Sequence, residues 1–242
     1  MVSTDPWALA AAVVVLAALA VGVAWAGRLG SARDMAWASG RAVVQLAVVS
    51  SVLAFVLASG WWTAGFVLLM LGVASFTAAG RIGGDGPRAW WAALPLACGV
   101  APVLAVVALS GAVPWHPAAV LPISGIVIGG AMTGTSQLGK LAVATMRDRR
   151  GEHEAALSIG LPARDAALML TRPLASQALL PGIDQTRTVG LVTLPGAFVG
   201  VLLGGGSPVQ AGAAQIVVLV GILAAQAVAM VLTLEVLARR TV

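Results

Sequence analysis

Charge is what this chain has least of. Asp, Glu, Lys and Arg make up 10% of 242 residues, where a soluble domain carries about a quarter. That shortage leaves no room for a soluble catalytic domain. Cysteine is nearly absent: Cys98 stands alone in an apolar run, which excludes a disulfide framework and reads as structural filler. His116 and His153 are the only histidines, with no paired His or Cys spacing, so no metal site is expected. No G-x-x-x-x-G-K-[ST] occurs, so any ATP chemistry must come from another subunit, and no cofactor is called for. Acidic residues are few. Asp184 beside Arg187 and Glu235 near Arg239 read as local ion pairs at the cytoplasmic face. That leaves no carboxylate at the bilayer centre, where a proton-coupled carrier needs one. The opening "MVSTDPW" has no Lys or Arg, so the first apolar run reads as a span rather than a signal peptide.

What is there is apolar residues, 60% of the chain, and a mean hydropathy of +0.98. This defines an all-α, polytopic integral membrane protein. A spanning helix takes roughly 20 residues, and seven such runs are expected, at about 7–26, 42–58, 64–79, 90–109, 118–145, 186–203 and 210–237. Between the first two runs, an interfacial helix around Met35 and Trp37 is expected. Trp61 and Trp62 suit a membrane interface, and Pro95 and Pro102 suit kinks in the fourth span. "GRIGGDGPR", with Arg81, Asp85 and Arg88, reads as a plain turn, since no strand precedes it. With seven crossings every Lys and Arg falls on one side. The positive-inside bias then puts the N-terminus outside and the C-terminus in the cytoplasm. The net charge of +5 sits at span ends, so nucleic acid is not expected as a partner and the lipid bilayer is.

The longest polar stretch, about 147–183, lies between the fifth and sixth runs. Glu154, Ala155 and Ala156 favour helix, while Gly160 followed by Pro162 is a stop-and-restart signal. Helix, tight turn, helix is expected, outside the bilayer, where a soluble partner can grip it. Within the spans, glycines recur every fourth position, at Gly125 and Gly129, Gly130 and Gly134, and Gly196, Gly200 and Gly204. Such rows serve packing within one subunit, a dimer seam or a translocation wall. Met132, Thr133, Thr135, Ser136 and Gln137 form an unusual polar group in the fifth span. Thr and Ser can bond back to their own helix, but Gln137 needs a partner or water, as do Gln45, Gln185 and Gln226. Pro195-Gly196 in mid-span is either a packed kink or a hinge and substrate contact. A translocation path would therefore take in Met132, Thr133, Ser136, Gln137, Thr193, Pro195 and Gly196.

Glu154-Ala155-Ala156, then Gly160, resembles the cytoplasmic coupling loop of ABC transporter permeases. The continuation Gly190-Leu191-Val192-Thr193-Leu194-Pro195-Gly196, then Gly200, then Gly206-Ser207-Pro208, resembles the iron-export-type permeases, which include plant aluminium-tolerance permeases. Two departures stand out: Arg172 where the loop pattern has an aliphatic residue, and Gly130 where that family carries Asn. The resemblance implies one permease domain over 1–242 in the cell (inner) membrane. It also implies a homodimer, a separate cytoplasmic ATPase docked on Glu154, Ala155, Ala156, Gly160 and Pro162, and export of iron or another metal or metal complex. Other classes remain open: an ATP-independent channel or carrier, which needs no docking hairpin, and a non-transporting membrane scaffold.

Overall fold

The structure is a computed structural model that describes residues 6–83, 90–111, 113 and 116–240. Among these residues it is all-helical: α1 (Pro6–Ala26), α2 (Ala32–Leu57), α3 (Gly60–Ile82), α4 (Ala93–Leu109), α5 (Pro117–Asp148), α6 (Arg150–Ser158), α7 (Ala163–Thr171), α8 (Leu174–Thr188), α9 (Gly196–Leu203) and α10 (Pro208–Arg240). Most of the turn "GRIGGDGPR", including Asp85 and Arg88, lies outside the described residues. Six helical stretches are long and apolar enough to cross a membrane, so the chain is a polytopic membrane protein. It divides into two compact units, Met1–Ala58 and Ser59–Val242.

In the first unit α1 packs on α2. α1 closes with Leu29 N–H donating to the Ala24 carbonyl (3.0 Å), and Arg28 takes a left-handed φ of 52°. The expected interfacial helix around Met35 and Trp37 is instead the opening of α2, which runs unbroken to Leu57. No proline interrupts it, and Gly40 alone is too weak a breaker to end it. Leu16, Trp25, Val44 and Leu46 are exposed, as side chains meant for a lipid environment must be.

The second unit is a bundle in which α10 packs on α4 and α5, and α5 on α3. Its ends follow local chemistry. The Ser59 hydroxyl accepts from Trp61 N–H (3.2 Å) at the start of α3. Pro117 takes the first position of α5 after an extended His116. Pro95 falls in the first turn of α4, where a missing N–H leaves no intrahelical bond unmade. The core is small: Ala78, Ala79, Leu96, Val127, Ala131, Ala225 and Ala229 are fully or almost fully buried. Small residues let backbones approach where no hydrophobic effect drives helices together. Gly99 shows this directly, since a Cβ there would lie 2.5 Å from the Ala225 carbonyl.

The glycine rows divide. Gly130 meets Ile222, and Gly134 meets Met230 and Gln226, so both serve packing within the chain, whereas Gly129, Gly196 and Gly200 face open space. The expected sixth span, 186–203, is not one helix. α8 starts at Leu174, ends at Thr188, and α9 resumes only at Gly196. At about 1.5 Å per residue the eight residues of α9 reach only about 12 Å, so a crossing needs α8 and α9 together.

Candidate functional site

The polar segment folds as α6, a tight turn and α7. Gly160, at φ 88°, supplies the left-handed residue that closes α6. Its N–H donates to the Leu157 carbonyl (3.0 Å) and Leu161 N–H to that of Ala156 (3.1 Å), the paired bonds of a Schellman closure. Pro162 sits one residue before α7 rather than in its first turn, and its carbonyl accepts from Asp165 and Ala166 N–H (2.9 and 3.0 Å). The five hairpin residues singled out in the sequence thus run from the second half of α6 through its closing turn to the start of α7. Ala156 is buried, while Glu154 and Ala155 face out. Ile159, 79% exposed, caps the turn with an unpartnered apolar side chain.

Ion pairs stiffen the hairpin. Arg150 Nε donates to Glu154 (2.8 Å), and Arg149 holds Glu152. That hydrogen bond, more than the attraction of the two charges, lowers the pKa of the Glu152 carboxyl. The stronger device was not legible in sequence. Arg164 at the start of α7 forms a two-pronged bond with Glu235 of α10, Nε to Oε1 and Nη2 to Oε2, each 2.7 Å. Glu235 also accepts from Arg239 Nε at 2.7 Å. Planar guanidinium and carboxylate fix direction as well as distance. Below this clamp Leu138, Ala142, Ala167, Leu168, Ala178, Met230 and Leu234 form a second buried cluster. The hairpin is therefore bolted to α5 and α10. At its base a cavity of about 360 Å³ is lined by Met146, Arg147, Arg150, His153, Thr171 and Arg240, among others. Arg240 lies 5.3 Å from the Trp91 ring.

The expected path residues fall into two groups. On α5, Thr133 and Gln137 are exposed, four residues apart on one side, and Thr133 bonds back to the Gly129 carbonyl (2.9 Å). Ser136 turns inward with Thr135, both buried hydroxyls without hydrogen-bond partners, and Met132 is half-buried. The other group is the break. Val189 is extended (φ −60°, ψ 137°), Gly190 is left-handed (φ 81°), and its N–H donates forward to the Thr193 carbonyl (2.9 Å). Pro195 precedes α9, its carbonyl accepting from Phe198 N–H (3.0 Å), and Gly196 begins the helix in the open.

Two rungs tie α8 and α9 to α10 and set the height of the break. Gln226 Nε2 donates to the Gly130 carbonyl (3.1 Å), while its Oε1 lies against Gly182 so closely that a Cβ there would collide. That oxygen is buried and has no hydrogen-bond partner. Farther along, Phe198 N–H donates to Gln215 Oε1 (3.2 Å). Gln226 stands about 21 Å from the Arg240 end of α10 and about 27 Å from Pro208, at 1.5 Å per residue. Asp184 and Arg187, 3.8 Å apart and largely exposed, lie in the segment bracketed by these rungs. The polar run from Arg147 had hidden this, because it blends the hairpin with a helix that has already entered the bundle. Among the described residues no three His, Cys, Asp or Glu side chains gather into a metal site.

A bundle of long apolar helices with a polar hairpin clamped across two of them is a multi-pass membrane protein. Residues 6–242 match the family model described as "Uncharacterised protein family (UPF0014)", and the chain belongs to that family. It is 34% identical to the "UPF0014 membrane protein STAR2" of Oryza sativa subsp. japonica over 218 residues, 89% of this chain and 76% of that one. It is 32% identical to "Protein ALUMINUM SENSITIVE 3" of Arabidopsis thaliana over 212 residues, 86% of this chain and 77% of that one. Against the "Probable iron export permease protein FetB" of Escherichia coli (strain K12) the identity is 31% over 228 residues, 90% and 83% of the two chains. No solved structure matches.

Proposed function

We propose that this chain is the transmembrane permease subunit of an ABC transporter, a single permease domain over 1–242. In this reading it exports iron or another metal or metal complex and is driven by a separate cytoplasmic ATPase. It works as a homodimer in the cell (inner) membrane, with its N-terminus outside and its C-terminus in the cytoplasm. The six long helices make six crossings, and α8 with α9 makes the seventh. The observation that carries the reading is the clamped hairpin. A force applied at Glu154, Ala155 and Ile159 reaches α10 through Arg164 and Glu235 without passing through a flexible link. The relative named as a probable iron export permease supports the cargo and the direction.

The experiment is reconstitution of the purified chain with a candidate ATPase and Fe²⁺ on the ATP side. ATP-dependent loading of vesicles, and co-purification of the ATPase, are expected. Metal movement without ATP would contradict it. One observation favours a second reading, an ion-coupled carrier: Asp184 is exposed on α8, and in that reading it supplies the carboxylate at membrane depth that such a carrier needs. Transport driven by a proton gradient in the absence of ATPase would select that reading.

A further inference from the structure

We infer that the broken span α8–α9 is one wall of a hydrated path through the membrane, and that Asp184 is the carboxylate a cationic cargo meets at mid-depth. The first half rests on geometry alone. The second rests on the proposed metal cargo.

Between the rungs at Gln226 and Gln215 the chain places an acid, an amide and a guanidinium, Asp184, Gln185 and Arg187, all exposed. Gln177, lower on α8, is exposed two helical turns before them with exposed Pro181 between, so the polar groups share one side of the helix. Ionisable side chains inside a membrane segment face a bundle interior or water, not lipid. The backbone says the same. Val189 leaves the helix, Gly190 turns its N–H toward Thr193, and Leu191 and Val192 N–H return to the Thr188 carbonyl, so α8 closes here and does not run on into α9. Leu191, 91% exposed, is left uncovered by the described residues. Irregular backbone at membrane depth is tolerated only inside protein or beside a wet cavity.

The chemistry at this wall suits a cation. The C-terminal end of α8 carries the negative end of the helix dipole, and Asp184 stands one turn before Thr188, where that helix ends. Arg187, 3.8 Å away, is a loose tethered counter-ion. At that distance, and largely exposed, it can be displaced by a passing cation. Discontinuous helices present ions with carbonyls and helix ends in this manner. Gln226 Oε1, buried and unpartnered against Gly182 just below, adds a further acceptor beside α8.

The test has two arms. In a Cys98→Ala background, single cysteines replace Gln177, Asp184, Gln185 and, as an apolar control, Leu69 on the exposed side of α3. Each is treated in proteoliposomes with a charged methanethiosulfonate. Reaction at the three α8 positions and silence at Leu69 is expected. No reaction at the α8 positions would overturn the wall, and so would a disulfide between two copies at position 185 in a reagent-resistant protein, which marks a dry seam. In the second arm Asp184→Asn is expected to lose most ATP-driven Fe²⁺ movement, with Asp184→Glu keeping most of it and detergent melting unchanged for both. Wild-type transport by Asp184→Asn would overturn the carboxylate's role. If the unaltered protein moves no metal at all, the cargo reading falls and takes that role with it, while the reagent pattern still decides the wall.

Discussion

Gly160 and Gly190 both end a helix in the left-handed region, at φ 88° and 81°, yet their surroundings differ. At Gly160 the freed donors return to α6, Pro162 restarts the chain at once, and the charged groups nearby are paired: Arg150 with Glu154, Arg149 with Glu152, Arg164 with Glu235. At Gly190 the residue's own N–H turns forward to Thr193 while Leu191 and Val192 N–H return to Thr188, seven residues separate α8 from α9, and Asp184 meets Arg187 only at 3.8 Å. The first site spends its polar groups on holding shape. The second leaves them exposed. In the proposed function, rigidity lies where a partner pushes and exposed polarity where a solute passes.

The comparison breaks most severely at the rung that joins the two regions. Gly182→Leu drives a side chain into Gln226, and overpacking of this kind costs about 1–3 kcal/mol. A clear fall in detergent melting temperature is expected, whereas Gly200→Leu, which faces open space, leaves melting close to wild type. Equal losses would mean the rung is not a structural contact. Next in size is Gly160→Val, which forces a β-branched residue into a left-handed turn at about 1–3 kcal/mol of local strain. Gly151→Val, within α6 and also uncrowded, is the control. Stimulated ATPase activity should fall far more in the first variant than in the second.

A moderate effect is expected from breaking the clamp. Arg164→Ala and Glu235→Gln should each lower ATPase stimulation while preserving membrane insertion, and the exchanged pair Arg164→Glu with Glu235→Arg should recover part of it. The absence of recovery would separate the two residues. The smallest effect concerns Glu152. Arg149 lowers its pKa in the folded protein, so its contribution is present above the unfolded value of about 4.3 and is lost as pH falls through the lower folded value. Because the pair is exposed, only a slight narrowing of the melting difference between wild type and Glu152→Gln is expected in that acidic window.

Much of this was readable in the residues alone. Long apolar runs, the turn at Gly160 and the helical polar segment follow from composition and local propensity. The clamp did not, because Glu235 has Arg239 one turn away, which accounts for it locally and conceals Arg164 at a distance of 71 residues in sequence. The place of Asp184 between the two rungs was hidden for a different reason. Hydropathy reports what a segment is made of, not what it packs against, and α8 is too polar to look like part of the bundle. Only Gly182 against Gln226 shows that it packs there.

The most direct measurement is ATPase stimulation by the reconstituted permease carrying Glu154→Lys at the exposed face of the hairpin, set against Asp34→Lys in the first turn of α2. Loss of most stimulation in the first, with near wild-type stimulation in the second and an unchanged basal rate of the isolated ATPase, is the predicted result. Equal stimulation in the two variants, whether kept or lost, would contradict a special role for the hairpin.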